Sequence, residues 1–305
     1  MINKKFLQTV AALMILIFHL WIPVTGTWVE DFCIKTGYVG VDIFFFLAAY
    51  SLADKEIDYG ALIRNRIGTI YLKFILFALI ALICGRITGI KAIKAIFMVD
   101  LFQKGGGAFL WFVPAIFLFY LIYPFFVKWK SKVKIFIVFI VWFSISYLIA
   151  SLLGYTQILI FTNRIPVILI GYICKNKKVS TRIAVLSIVV GTILIYLLGY
   201  RFKLNVPIKE MFYIAAIVFV VGMAGISVQI KPSIVWEILG TATLECYALQ
   251  MLFGPKLVMS LYRNLQSPIL CNLLSITIMF ASATILAKAY SYVYAAVVRI
   301  LKKER

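Results

Sequence analysis

Apolar residues run along this chain in blocks of about 20, and short basic clusters separate one block from the next. A helix needs about 20 such residues to cross the hydrocarbon core of a bilayer. The pattern therefore predicts an all-α, polytopic transmembrane helical bundle of about ten spans. These lie at residues 6–24, 37–53, 69–86, 108–127, 134–153, 157–174, 182–200, 208–228, 234–256 and 268–298. No hydrophilic stretch is long enough for a second domain, so one membrane domain is predicted over residues 1–305.

The composition supports this membrane assignment. Hydrophobic residues make up 64% of the chain and charged residues 14%, against about 25% charged residues in a typical soluble domain. The formal net charge of +20 would suit a nucleic-acid partner, but the basic residues stand in short clusters such as 128–134, 175–178 and 299–305. Clusters of this kind anchor cytoplasmic loops beside anionic lipid head groups. We expect membrane lipids and no nucleic acid as partners, in a bacterial-type plasma membrane, and an even number of spans places both termini in the cytoplasm.

Two segments leave alternatives open. The first span follows a basic start and resembles a signal peptide, but no small-residue cleavage pattern follows it, which favours a retained helix. Residues 85–107 carry four basic side chains on the external side of this topology. Either that segment lies flat in the membrane interface or one of the predicted spans is wrong. The five cysteines show no metal-ligand spacing, so neither a metal site nor a disulfide framework is expected.

His19, the only histidine of the chain, lies late in the first predicted span. Helical steps of three and four residues place it on one stripe with Ile15, Ala12, Gln8 and Lys5, and we expect this polar stripe to face the bundle interior. A neutral imidazole in such a position could act as a general base near pH 7. A histidine at the membrane interface, or one hydrogen-bonded to a neighbouring helix, would show the same spacing. The pattern alone leaves both interpretations open.

Two basic residues at the start of the third predicted span form a second candidate site. Arg66 and Lys73 are seven residues apart and would share one face of an uninterrupted α-helix. They either anchor the helix to lipid head groups or bind an anionic ligand, such as a nucleotide phosphate, at the cytoplasmic mouth.

Other ionisable residues lie within apolar blocks, where each costs about 3 kcal/mol unless it is paired or hydrated. Asp42 is expected to accept hydrogen bonds or to pair with a cation, or else to position His19. Glu245 lies deeper in its span than Glu237 and is the better functional candidate, with Arg164 or Lys288 as a possible structural partner. Asp42, Arg164 and Glu245 are therefore predicted to belong to a polar network.

The stretch "GYVGVDIFFFLAAY" resembles the G-x-x-G-V-D-x-F-F-x-L-S-G-F element in the second helix of acyltransferase family 3, a family of integral-membrane acyltransferases. Other pieces follow the family's order along all ten spans. They are His19 at the end of the first helix, "RNRIGTIY", "LWFVPAIFLFYLIYP", "NRIPVILIGY" and "LGTATLECYALQML". The chain departs from the family pattern at several positions: Lys5 and Gln8 replace an Asp and an Arg, Ala48, Ala49 and Tyr50 replace Ser-Gly-Phe, Thr69 replaces a proline, and Gln250 replaces a late histidine.

The resemblance implies an enzyme that transfers an acyl group, usually acetyl, from acetyl-CoA or another acyl-CoA. The implied acceptor is a hydroxyl of a cell-envelope glycan or of a lipid-linked saccharide. In the family, the histidine that corresponds to His19 is the catalytic base, and the arginine that corresponds to Arg66 helps to bind the donor; Lys73 is added to this donor site because of its spacing. Two other classes stay open. One is a transporter or flippase of a lipid-linked or small polar solute, which the absence of internal repeats disfavours. The other is a catalytically inactive scaffold of glycan assembly.

Overall fold

The computed structural model describes residues 2–53, 56, 58–103, 109–127, 132–175, 177, 179–198 and 211–303, and every regular element among them is helical. In chain order the α-helices are α1 Lys4–Leu20, α2 Trp28–Thr36, α3 Gly40–Leu52, α4 Tyr59–Arg66, α5 Leu72–Ile83, α6 Gly89–Ile96, α7 Phe112–Val127, α8 Lys132–Leu153, α9 Thr156–Thr162, α10 Ile165–Ile173, α11 Thr181–Tyr196, α12 Met211–Ser227, α13 Ile234–Thr241, α14 Thr243–Leu265 and α15 Pro268–Lys303. The prediction of an all-α fold is confirmed. The triplet Gly105–Gly107 and parts of the three basic clusters lie outside the described residues.

Four helical runs in the described part of the chain are long and apolar enough to cross a membrane: Trp28–Leu52, Tyr59–Ile83, Val133–Leu153 and Pro268–Ile300. Four shorter apolar helices accompany them, at Phe112–Tyr123, Ile158–Ile173, Thr181–Tyr196 and Ala216–Ser227. Only 12% of the apolar window of Val133–Leu153 is buried, so this helix exposes a large apolar surface, as a membrane-spanning helix does. The count of ten spans and the cytoplasmic position of both termini stay predictions.

Two predicted spans are interrupted, and both interruptions lie beside candidate site residues. The span predicted at 157–174 breaks between α9 and α10, which places Arg164 at the start of α10. The span predicted at 234–256 breaks at Ala242, between α13 and α14, which places Glu245 in the first turn of α14. The hydropathy averaged over each whole span stays high, so the average did not reveal the breaks, although polar residues at 162–164 and Pro166 do mark the start of α10.

The chain forms two compact units, Met1–Val41 with Ser227–Arg305 (unit 1) and Asp42–Ile226 (unit 2). In unit 1, α1 runs parallel to α13 and α14, because Gly240 lies against the backbone of Lys5 near one end and Gly254 lies against Leu20 at the other. At the far end of α1, the Asn272 amide of α15 donates to the Ile22 carbonyl and accepts from the Ile22 N–H, both at 2.8 Å.

The two glycines of the "GYVG" motif allow close packing on α1. Gly37 opens the 3₁₀ turn Gly37–Val39, and Gly40 opens α3. A Cβ atom on Gly37 would overlap the Met14 carbonyl oxygen, and one on Gly40 would overlap the Ala11 carbonyl oxygen. Helix α1 and this turn therefore approach to backbone contact, which only glycine permits.

In unit 2, a short amphipathic helix follows α5. The Thr88 hydroxyl caps α6 by accepting from the Lys91 N–H, and the Tyr71 hydroxyl donates to the Ile96 carbonyl at 2.8 Å. Ala92 and Ala95 are buried, whereas the apolar and basic side chains of this segment are exposed together. This helix lies in the segment 85–107, for which an interfacial orientation and a wrongly placed span were the two alternatives, and both stay open.

Candidate active site

His19 lies in the last turn of α1. The Asn3 side chain caps the start of this helix by accepting from the Phe6 N–H at 3.0 Å. The helix ends at Leu20, since Pro23 disfavours helical backbone at Ile22 and cannot donate a backbone hydrogen bond. The imidazole therefore projects from a helix end and not from a flexible loop.

The His19 ring has a defined proton position. Its Nδ1 lies 2.9 Å from the Ile15 carbonyl oxygen, one helical turn earlier. A carbonyl oxygen can only accept, so Nδ1 is the donor in this contact, and in the neutral ring Nε2 then presents a lone pair. The side chain is exposed, and the Phe18 ring packs edge-on against it with ring centroids 4.8 Å apart. This is the tautomer and the accessibility that a general base needs.

The rest of the predicted His19 stripe is mostly covered. Ala12 and Ile15 are buried, and Gln8 is partly buried. The Gln8 Oε1 atom is fully buried and has no hydrogen-bond partner among the described residues. The stripe therefore has an exposed polar group at His19 and a buried polar group at Gln8.

A carboxylate that sequence reasoning missed holds the segment after His19. Glu30 of α2 accepts hydrogen bonds of 2.7–2.9 Å from five donors: the Trp21 indole, the N–H groups of Val24, Thr25 and Gly26, and the Thr25 hydroxyl. The spacing of Thr27 and Glu30 matches a capping box, and Thr27 does cap α2. That signal could have located the helix start, but not the use of Glu30 to fix the exit of α1.

An apolar cavity of about 500 Å³ lies beside this exit, between the end of α1, α2 and the start of α15. Ile17 of α1 and Trp21, which directly follows α1, line it. Ile17 is two residues before His19, about 200° around the helix, so the imidazole projects from another side of α1. His19 does not line this cavity.

Asp42 and Arg164 form a buried ion pair in unit 2. The Arg164 Nε atom lies 3.4 Å from Asp42 Oδ1, and the two side chains are 2% and 0% exposed. Arg164 also donates from Nη1 to the Ile160 carbonyl at 3.1 Å, and its guanidinium lies 5.8 Å from the centre of the Trp111 ring. Asp42 lies in the first turn of α3, where the helix dipole favours a carboxylate. The sequence predicts Arg164 or Lys288 as a possible partner of Glu245. The structure places Arg164 beside Asp42.

Arg66 ends α4, and its guanidinium lies over the Tyr120 ring, 4.2 Å from the ring centre. The next five residues, Ile67–Tyr71, form a π-helical turn in which the Leu72 N–H bonds the Ile67 carbonyl. Each residue of a π turn rotates the chain about the helix axis by less than the roughly 100° of an α-helix. Seven residues that include this turn therefore do not bring Lys73 back to the face of Arg66. The expectation of a shared face is wrong because it assumed an uninterrupted α-helix. Both side chains are partly buried in unit 2.

Glu245 is buried in α14 of unit 1, 1% exposed. The same helix buries Gln250, also 1% exposed, and neither end of its amide has a hydrogen bond within the described residues. His19 and Glu245 thus belong to unit 1, whereas Asp42, Arg164, Arg66 and Lys73 belong to unit 2.

Comparison with known proteins adds one match. A family model described as an acyltransferase domain, of the acyltransferase 3 family, matches residues 5–291. No curated protein matches the chain, and no solved structure matches it. The matched range contains every candidate site residue.

Proposed function

This chain belongs to the acyltransferase 3 family, and we propose that it transfers an acyl group, acetyl in the simplest case, from acyl-CoA to a hydroxyl group of a cell-envelope glycan or lipid-linked saccharide. The observation that carries the proposal is the geometry of His19. Its imidazole is exposed, holds its proton on Nδ1 and leaves Nε2 free to accept another.

In the proposed reaction, Nε2 of His19 takes the proton of the acceptor hydroxyl. The hydroxyl oxygen attacks the thioester carbonyl carbon and forms the new C–O bond. The C–S bond then breaks, and the leaving thiolate of coenzyme A takes the proton back from the imidazolium. The Ile15 carbonyl accepts from Nδ1 throughout, so it orients the ring and stabilises its positive charge in the intermediate state.

Arg66 is the proposed contact for the phosphates of the donor. Its aromatic partner Tyr120 holds the guanidinium in one plane, and a planar guanidinium can donate two parallel hydrogen bonds to a phosphate. The Nε atom of Arg66 is buried and has no hydrogen-bond partner among the described residues, so the described residues do not satisfy all the donors of the guanidinium. Lys73 would add positive charge further along the same helical run.

The test compares envelope glycan from cells that produce the wild-type chain, His19→Gln, or Val10→Ala as a control on the same helix. Mass spectrometry should show acyl groups on the glycan with the wild type and the control, and none with His19→Gln. Release of free thiol from acetyl-CoA by the purified protein should follow the same order. Full acylation by His19→Gln would contradict the role of His19, and no acylation by any variant would contradict the proposed acceptor.

A further inference from the structure

Unit 1 contains a polar cavity of about 260 Å³ between α13 and α15. Glu237, Thr241, Thr284, Lys288 and Ser291 supply its polar lining. The cavity lies at the N-terminal end of α1, because α13 meets Lys5 there. It therefore lies at the opposite end of α1 from His19.

The cavity holds two charges of opposite sign that do not pair. Glu237 and Lys288 both line it, yet neither charged group has a hydrogen bond or ion pair with any residue that the structure describes. Two such charges that share a cavity without contact leave room for a group that satisfies both. A ligand carrying one ammonium and one anionic group fits this arrangement.

Two hydroxyl groups of the cavity already donate their proton within the protein, and one does not donate to any described residue. Thr241 accepts from the Lys5 ammonium at 2.8 Å and donates to the Glu237 carbonyl at 2.6 Å, so its proton is already used. Ser291 donates to the Lys288 carbonyl at 2.7 Å. Thr284 makes no hydrogen bond with the described residues and can donate to a ligand beside Lys288. The free donors thus gather on α15 and the free acceptor on α13.

Exposed apolar side chains lie about one helical turn from the charged residues of the cavity. Ile234 of α13 is three residues before Glu237 and 72% exposed, and Ile285 of α15 is three residues before Lys288 and 67% exposed. A soluble zwitterion would leave these side chains uncovered, whereas the hydrocarbon tails of a lipid would cover them while its head group fills the cavity. The occupant that fits both features is amphiphilic.

We propose that this cavity binds the zwitterionic head group of a phospholipid, with the ammonium on Glu237 and the phosphate on Lys288 and Thr284. The size allows this occupant, since a cavity of about 260 Å³ is larger than a phosphoethanolamine group, which has eight non-hydrogen atoms. Coenzyme A is far larger and wholly anionic at its phosphates, so Glu237 would repel it. The head group bridges α13 to α15, and Thr241 connects that contact to Lys5 of α1.

The test measures lipid binding to the full-length protein in detergent by native mass spectrometry, independently of any acyl transfer. Phosphatidylethanolamine is titrated against the wild type, Glu237→Gln, Lys288→Gln and the control Lys256→Gln, whose exposed lysine lies on α14 outside the cavity. Thermal unfolding of each variant checks that the fold is retained. We expect the affinity for phosphatidylethanolamine to fall about tenfold or more in each cavity variant, since each loses a charge-assisted contact, and to stay unchanged in the control.

Three further ligands test whether the cavity recognises a zwitterionic lipid and not another phosphate compound. Phosphatidylglycerol, which lacks the ammonium, should bind the wild type more weakly, and Glu237→Gln should remove that preference. Soluble phosphoethanolamine and coenzyme A should not displace the lipid at equal concentration. The proposal is overturned if phosphatidylglycerol binds the wild type as tightly as phosphatidylethanolamine. It is also overturned if either soluble competitor displaces the lipid, or if neither cavity variant changes lipid binding.

Discussion

Asp42 and Arg164 contact each other inside unit 2 with almost no exposure, and the Arg164 Nε atom lies 3.4 Å from Asp42 Oδ1. Each charge is costly to bury alone, so each explains the presence of the other in an apolar segment. The carboxylate of Asp42 receives no hydrogen bond from the described residues, so Arg164 supplies its main compensation. The pair joins the start of α3 to the start of α10.

Breaking this pair should destabilise the protein more than removing it. Asp42→Asn leaves the Arg164 guanidinium buried without its counter-charge, and we expect a loss of about 3–5 kcal/mol. The double variant Asp42→Asn/Arg164→Met should recover part of that loss, because it buries no charge at this place. Thermal unfolding in detergent measures both. If the double variant is less stable than Asp42→Asn, the two side chains stabilise the fold by more than neutralising each other's charge. Full transferase activity of Asp42→Asn at normal expression would exclude a role of its charge in the reaction.

His19→Ala should remove activity without loss of stability. The side chain is exposed, so its removal leaves no cavity, whereas loss of a general base lowers the rate by about 10²–10⁴-fold. Thiol release from acyl-CoA gives the rate, and the unfolding temperature gives the control. A variant that loses both activity and stability to a similar extent would indicate a structural histidine instead.

Arg66→Gln should weaken donor binding while the chemical step continues. Loss of a charge-assisted contact to phosphate is expected to raise KM for acyl-CoA by about 10-fold to 100-fold, with a smaller change in kcat. Arg64→Gln is the matched control, since Arg64 is exposed on the same short helix and about 200° away from Arg66. Equal effects of the two substitutions would point to a general attraction of the anionic donor and not to a defined contact.

Gly37→Ala and Gly40→Ala should each destabilise unit 1. The added methyl group would overlap a backbone carbonyl oxygen of α1, and overpacking of this kind costs about 1–3 kcal/mol. Gly89→Ala in α6 is the control, because nothing lies within 4 Å of its added Cβ and alanine favours a helix. We expect unfolding temperatures to fall for the first two variants and to hold or rise for the third. Unchanged stability of Gly40→Ala would disprove the backbone contact.

Asp100, which lies between the candidate spans, should give the protein a pH-dependent stability. Burial raises the pKa of its carboxyl group above the ordinary value of 3.8, and the hydrogen bond from the Phe109 N–H at 2.8 Å only partly opposes this. Because the folded state holds this proton more tightly, the contribution of Asp100 to stability is full below pH 3.8 and is lost as the pH rises through the folded pKa. Asp100→Asn keeps an acceptor for Phe109 but cannot ionise. Its stability relative to the wild type should therefore rise with pH above 3.8, as measured by unfolding at a series of pH values; a constant difference would contradict this.

The helices could be predicted from the sequence because their signals are local. Apolar blocks predicted most of the described helices, although α2 and α4 lie outside the predicted spans. Asn, Thr and Ser residues that cap helices stand at several observed helix starts. The long helix α15 also follows closely from its apolar run. What the hydropathy missed was the break before Arg164 and the break before Glu245, since neither changes the average polarity of its segment.

The candidate site could be predicted only as a list of residues. His19 and Asp42 were identifiable because an ionisable group in an apolar block is costly and needs a reason. The sequence could not reveal the proton position on His19, which depends on the ring orientation toward the Ile15 carbonyl. Nor could it indicate that Arg66 lies over Tyr120, because that contact depends on how α4 packs against α7.

The order of apolar and polar residues determined by itself that this chain is helical, suited to a membrane and furnished with a few buried charges. Helical periodicity depends on neighbours within a few residues, so it can be read along the chain. Only the tertiary structure decided that Asp42 pairs with Arg164, that Asn272 holds Ile22, and that Glu237 and Lys288 line one cavity without touching. Such pairings depend on how separate helices rotate, break and approach one another, and those relations are set by packing between residues far apart in sequence.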